Sequence, residues 1–504
     1  MQINVNASLI DFAPWKNNIT VRARLRSDPR QEMFYEDNGR VTTYGEFMKR
    51  AGQYAYVLAY KYKIEKGDRV MARVSKTVDT VALYIACLQI GAVYIPVNTA
   101  YTEKEAAHYI KDATPTLLVS CATDIDFKFK DRLIVVDENQ LSDDTNSAKE
   151  MTDIENVRFT DPASICYTSG TTGLPKGAVL THGGLSTNAE QIVKAWGFTN
   201  KDRNLHCLPF YHVHGMYMSL HSSLFSHSAL IWRKKFEVED AIEHMKNATV
   251  MMGVPTYFSR LLSSPHFEKP VFSNMRVFIS GSAPLSVATI DAFEKKTGHV
   301  ILERYGMTEA QVMSTNPLHG ERIPGTVGPA LADIKIRIGE GDGIEIQSQS
   351  LFAGYWNNPE KTKSEFTADG WFKTGDCGTI DEKGYLRIAG RSKDLIISGG
   401  LNVYPKEIED AIDPLPNVKE SAVIASPHPD FGEAVVAIVV LKERKKKFNE
   451  KDFEKNIREI LKENLAHYKI PKRVIVVEEL PRNWMTKVMK NVLRDQYKNL
   501  FDSK

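Results

Sequence analysis

Strand-like and helix-like segments alternate along most of this chain, and that alternation restricts the fold more than any other feature. Residues 44–60 carry a helical pattern and 69–74 an extended one; 78–90 read as helix and 92–97 as strand. Extended runs recur at 117–120, 133–136 and 277–280, with helical segments between them. A strand followed by a helix that returns to a parallel strand builds sheets covered by helices on both faces. The expected class is therefore α/β, with a large N-terminal domain of parallel-type sheets flanked by helices. Near residue 390 the elements shorten and charge accumulates, as in Lys442-Glu443-Arg444-Lys445-Lys446-Lys447, a run that reads as a solvated loop. A small α+β C-terminal domain is expected there, which divides the chain into 1–392 and 393–504. The 504 residues exceed what one hydrophobic core sustains, as two domains require.

Residues 80–102 carry no charge, but Gln89, Gly91, Pro96 and Asn98 interrupt them, so a buried helix followed by a buried strand is expected rather than a membrane span. Lys and Arg number 65 against 63 Asp and Glu, a net charge of +2, which gives no electrostatic case for a nucleic-acid partner. The five cysteines are scattered and form no CxxC pair, the pattern of structural thiols in a reducing compartment. Arg22, Arg24, Arg26 and Arg30 are mixed with Asp11 and Asp28 and accompany no apolar core, so a cytoplasmic location is expected, with the mitochondrial matrix as the alternative. The C-terminal Phe501-Asp502-Ser503-Lys504 is not the peroxisomal tripeptide.

The strongest local signal is Tyr167-Thr168-Ser169-Gly170-Thr171-Thr172-Gly173-Leu174-Pro175-Lys176-Gly177, between the strand-like 164–166 and a helical segment after Thr181. Such a loop offers backbone N–H groups and hydroxyls to phosphate oxygens, and Lys176 adds a cation. The spacing is not that of a Walker A loop. On the residues alone, a phosphate loop and a flexible surface turn both stand.

The string resembles the phosphate loop of the adenylate-forming superfamily, which comprises acyl-CoA synthetases, luciferases and peptide-synthetase adenylation domains. Further strings follow in that family's order. Ser280-Gly281-Ser282-Ala283-Pro284-Leu285 is similar to its adenine-contacting turn, Glu303-Arg304-Tyr305-Gly306-Met307-Thr308-Glu309 to its nucleotide and magnesium motif, and Thr374-Gly375-Asp376 to its ribose motif. Gly390-Arg391-Ser392-Lys393-Asp394 resembles its hinge, and Pro481-Arg482-Asn483-Trp484-Met485-Thr486-Lys487 its catalytic-lysine motif. The resemblance implies an ATP site made of Thr168, Ser169, Gly170, Thr171, Thr172, Gly173, Lys176, Ser282, Ala283, Glu303, Arg304, Tyr305, Thr308, Asp376, Arg391 and Lys487. It implies Mg²⁺ held by Thr168 and Glu309, whose hard oxygens suit that ion. Asp376, an acceptor, suits two ribose hydroxyls. Lys487 would bridge the reacting carboxylate and the α-phosphate, with Thr168, Glu309 and His212 beside it in catalysis. Lys393 would be the hinge about which a mobile C-terminal domain turns, presenting Ser398, Gly399 and Gly400 to coenzyme A.

Within the superfamily the chain most resembles malonyl-CoA synthetases, through Leu208-Pro209-Phe210-Tyr211-His212-Val213-His214-Gly215, Gly253-Val254-Pro255-Thr256, the stretches 279–285 and 302–309, Gly399 to Glu409 and Pro481 to Arg494. Arg304 stands where many fatty-acid and aromatic-acid ligases carry a small residue. Malonate keeps a second carboxylate after the first is activated, and burying that charge requires a cation; Arg is a bidentate partner. Stacking near adenine, or pairing with Glu303, is the other reading of Arg304. His212, His214, Ser280 and Met307 complete the implied acid pocket; each histidine is equally read as a satisfied core group. Thr486 departs from the family's glycine, Val312-Met313 from the Met-Asn of malonyl-CoA synthetases, and 338–343 is a shortened surface hairpin expected to lie away from the chemistry. The implied reaction is malonate + ATP + CoA to malonyl-CoA, AMP and pyrophosphate. The alternatives are a ligase for a short- or medium-chain monocarboxylate or methylmalonate, and an enzyme loading a carrier protein.

Overall fold

The structure, a computed structural model, describes residues 18–20, 28–101, 103–121, 133–168, 175–399, 401–443, 449–482 and 487–501. Among them four sheets form. In the first, Leu302–Met307, Val277–Ser280, Val250–Gly253, Arg203–His206, Ala229–Trp232 and Glu32–Tyr35 lie side by side and parallel. Antiparallel strands Gln311–Thr315 and Val41–Thr43 close its edges. In the second, Pro162–Thr168, Val93–Pro96, Arg69–Arg73, Leu117–Ser120 and Ile134–Asp137 are parallel, while Lys176–Thr181 and Gly354–Tyr355 add antiparallel strands.

The expected α/β class holds, with sheets that are mixed rather than parallel throughout. The third sheet, Lys335–Ile338, Gly343–Gln347, Phe372–Ile380 and Leu386–Arg391, is antiparallel. A parallel connection needs a crossover of a dozen residues or so, and the hairpin between 338 and 343 has no room for one.

Local sequence explains the helices. Thr43 and Glu46 form a reciprocal capping box at the start of Tyr44–Tyr56. Thr77 caps Val78–Gln89, in which every residue but Asp79 is buried. Strand Val93–Pro96 follows, so the uncharged stretch is a buried helix and strand. Among the described residues no helix is long and apolar enough to cross a membrane. All five cysteines are free, and four are buried.

Helix His182–Ala195 begins where Thr181 Oγ1 accepts the Gly184 amide at 3.0 Å. Its Asn188 brackets the backbone of Val312: Nδ2 donates to the Val312 carbonyl at 2.8 Å, and Oδ1 accepts the Val312 amide at 3.2 Å. Leu185, Ala189 and Ile192 join the largest core cluster together with Val312 and Met313.

The small C-terminal domain centres on Gly432–Leu441, which pairs with Val418–His428, Ile396–Ser398 and Arg473–Val477. Alternation sends Val435, Ala437 and Val439 into one core cluster and Val436, Ile438 and Val440 into another. Helices Pro405–Ile412 and Glu450–Asn464 contribute to the first cluster, and Lys490–Gln496 to the second. The shortened hairpin meets this domain: the Tyr404 hydroxyl donates to Asp342 at 2.5 Å.

At the amino ends of the first sheet's strands, Asp202 accepts from the Thr199 amide (2.8 Å), Thr249 Oγ1 (2.7 Å) and the Arg276 guanidinium (2.7 and 3.0 Å). Its carboxylate is buried, so removing it leaves a half-buried guanidinium and two donors without their acceptor. Asp202→Ala should lower the unfolding free energy by about 1.5–3 kcal/mol, read from urea denaturation.

Candidate active site

Several strands end on chemistry-bearing residues: Pro162–Thr168 on Thr168, Val277–Ser280 on Ser280 and Leu302–Met307 on Met307. Clefts in α/β proteins form beyond such carboxyl ends. Thr168 and Lys176 are cross-strand partners, and Thr168 Oγ1 donates to the Lys176 carbonyl at 3.4 Å. One helix, Glu103–Ala113, holds the neighbours of both: His108 Nε2 donates to the Pro175 carbonyl at 3.3 Å, and the Tyr167 hydroxyl donates to Asp112 at 2.6 Å. His108 and Asp112 are four residues apart and share a helix face. The Lys176 ammonium lies 5.7 Å from the Tyr355 ring centre, and the Tyr355 hydroxyl donates to Glu309 Oε1 at 2.9 Å. Glu309 is 5% exposed and has no ion pair among the described residues; burial raises its pKa. Ser169, Gly170, Thr171, Thr172 and Gly173 lie outside the described residues.

Asp376 and Arg391 face each other across an antiparallel pair, with Arg391 Nε 2.8 Å from Asp376 Oδ1. The Tyr305 hydroxyl donates to the other carboxylate oxygen. Burial raises the Asp376 pKa even so. Lys487 comes from the C-terminal domain into the field of Arg391, Asp376, Arg304 and Glu309. The protein packed around its ammonium, and then the Arg391 charge, lower its pKa to about 8, although the residue as a whole is exposed.

Arg304 is 3% exposed, and burial lowers its pKa to about 9. Its Nη2 donates to Ser282 Oγ at 3.4 Å, its Nε has no acceptor, and no carboxylate lies within ion-pair distance among the described residues. Ser282 is held in the left-handed region, with φ +71°, and its Oγ lies 3.1 Å from His214 Nδ1. The His214 amide meets His212 Nδ1 at 3.4 Å. Burial keeps both rings neutral: it lowers His212 to about 3, and His214 well below its ordinary value. Ser280 Oγ and His214 Nε2 are buried without partners.

Glu303 does not pair with Arg304. Its Oε1 accepts the Leu285 amide at 3.2 Å and braces the turn from strand Val277–Ser280 into helix Val287–Thr297, and burial raises its pKa to about 7. Ala283 and Thr308 are half-buried in the turns after Ser280 and Met307. Ser398 is buried at the end of strand Ile396–Ser398. Gly399, with φ +59°, donates its amide to the Phe431 carbonyl at 2.9 Å. Gly400 lies outside the described residues. Lys393 sits in the turn Ser392–Asp394, whose Asp394 accepts from Arg494 at 2.5 Å. His206 and His221 are core groups bonded to the Gly215 carbonyl (2.9 Å) and the Tyr84 hydroxyl (2.8 Å).

Sequence reasoning missed Tyr355, His108 and Asp112. Each reaches the site through a contact between segments far apart in the chain, and none stands in a motif.

Comparison with known proteins identifies the family. The family described as AMP-binding enzyme matches residues 21–356, and the AMP-binding enzyme C-terminal domain matches 407–487. A malonate–CoA ligase of Arabidopsis thaliana is 35% identical over 485 residues, covering 86% of this chain and 79% of its own. The long-chain-fatty-acid–CoA ligase FadD13 of Mycobacterium tuberculosis is 33% identical over 501 residues, covering 95% and 97%. ATP-bound MatB from Rhodopseudomonas palustris is 42% identical and covers 96% of this chain and 100% of its own, with a TM-score of 0.91; for apo MatB the TM-score is 0.82.

An unpaired buried charge destabilises the unliganded protein. Arg304→Met should therefore raise its unfolding free energy without ligand by about 1–4 kcal/mol, measured by thermal or urea unfolding.

Proposed function

The chain belongs to the AMP-binding enzyme family, and on that premise we propose that it is an ATP-dependent malonate–CoA ligase. Malonate, ATP and CoA yield malonyl-CoA, AMP and pyrophosphate through a malonyl-adenylate. The observation that carries the choice of acid is Arg304, a buried guanidinium without a carboxylate partner among the described residues. The distal carboxylate of malonate supplies the missing charge in bidentate form. His214 Nε2 and Ser280 Oγ, both buried without partners, would complete its hydrogen bonds. A monocarboxylate leaves all three unsatisfied, which argues against that alternative.

In the first half-reaction a carboxylate oxygen attacks the α-phosphorus, and the bond to pyrophosphate breaks. Two anions must approach, so the protein's contribution is charge neutralisation and alignment. Lys487 would bridge the attacking carboxylate and the α-phosphate, Lys176 would meet the outgoing phosphates, and Asp376 would hold the ribose. Glu309 and Thr168 fit Mg²⁺: a buried carboxylate with one neighbouring hydroxyl donor suits an ion that takes one or two protein oxygens and completes its shell with phosphate and water. When bound, the ion neutralises phosphate charge. In the second half-reaction the CoA thiol attacks the acyl carbonyl and AMP departs.

We assign the two half-reactions to two poses of residues 393–504 relative to 1–392, with Lys393 as the hinge. The higher TM-score to ATP-bound than to apo MatB supports reading this structure as the adenylation pose. In the other pose the turn at Ser398–Gly400 would admit pantetheine. The free cysteines fit a reducing compartment, and we take the cytoplasm as its site.

A panel of acids with ATP and CoA tests the substrate. Malonate should exceed butyrate and hexanoate in kcat/KM by at least about 100-fold, and a butyrate preference would overturn the assignment. Methylmalonate in the same panel tests the neighbouring dicarboxylate, and a carrier protein in place of CoA tests the loading alternative. Lys487→Ala should abolish pyrophosphate release while still converting supplied malonyl-adenylate to thioester. Lys487 is cationic below about pH 8 and neutral above it. The kcat/KM of adenylation should therefore fall on the alkaline side with an apparent pKa near 8, a limb absent from the thioester step.

A further inference from the structure

We infer that Gly281 is a specificity-determining position, a cradle that fixes where the Arg304 guanidinium lies and hence which acids fit; this deepens the malonate reading and rests on it. A Cβ built at residue 281 would stand 2.3 Å from Arg304 Nε, 2.5 Å from Cζ and 2.9 Å from Cδ. Optimal contact between such atoms is near ~3.5–4 Å, so the guanidinium lies in the space a side chain at 281 would need.

The backbone does not explain this glycine. Its φ lies outside the left-handed region, whereas the next residue, Ser282, holds φ +71° while carrying a side chain. What the missing side chain provides is close approach. The turn then fixes the guanidinium from two sides: the bare face of Gly281 beneath it, and Ser282 Oγ, which accepts from Nη2 at 3.4 Å and also meets His214 Nδ1.

An added methyl meets the far end of a flexible side chain, so the fold absorbs it and the guanidinium moves. To reach ordinary contact it must shift by about 1 Å. A displacement of that size at a positioning group costs about 100-fold in rate. The loss falls on the acid whose second carboxylate Arg304 receives.

The test is a double-mutant cycle on wild type, Gly281→Ala, Arg304→Ala and the double variant, each assayed with malonate and with butyrate. Gly281→Ala should lower malonate kcat/KM by about 100-fold more than butyrate kcat/KM. In the Arg304→Ala background the same change should have no further effect, because the atoms it would strike are gone. A further 100-fold loss in the double variant, an equal loss with butyrate, or malonate activity unchanged in Gly281→Ala would each overturn the inference. A wild type that uses butyrate and not malonate sinks the substrate reading itself, which the wild-type row alone reveals.

Discussion

A charge in a protein interior requires a partner, and the site is organised around one that lacks it. Arg304 has left water, and its one described side-chain contact is the Ser282 hydroxyl. Around it stand two histidines kept neutral by burial and a serine hydroxyl without a partner. Free energy withheld from the empty protein is available when an anion arrives. Nearby, Asn188 holds the backbone at Val312 with two hydrogen bonds, and Glu303 braces the turn that carries Ser280 to Leu285.

On the proposed phosphate side Asp376 has Arg391 and Tyr305 for partners, while Glu309, buried without an ion pair among the described residues, has the Tyr355 hydroxyl. These groups are held before any nucleotide binds, so little reorganisation accompanies the chemistry. Lys487 enters from the other domain, and the Tyr404–Asp342 hydrogen bond joins the two domains in the pose that brings it there. The hairpin expected to lie away from the chemistry thus touches the C-terminal domain.

Much of this was legible in the sequence because the chemistry is concentrated in short strings. Thr168, Glu309, Asp376, Arg391 and Lys487 each stand in a motif, and the alternation of elements puts strand ends where those motifs fall. One alternative for Arg304, pairing with Glu303, falls only in three dimensions: Glu303 turns to the Leu285 amide, which leaves the guanidinium without that partner. Tyr355, Asp112 and His108 were invisible, since no local pattern marks a side chain that acts through a distant segment. The antiparallel sheet from Lys335 to Arg391 escaped for a related reason. Its strands lie within the reach of turn geometry, while the periodicity of the surrounding chain favoured parallel crossovers.

The Asp202 network fastens the amino ends of three central strands, at 203, 250 and 277, whereas the residues proposed to choose the acid follow the carboxyl ends. Distant sites of this kind contribute nearly additively. Over evolutionary time the two ends of the sheet are therefore free to change at different rates. A lineage can exchange one acid for another by altering the turns after 206, 280 and 307 while inheriting the anchored ends intact. The same partition tells an engineer where diversity is tolerated and where it will cost the fold.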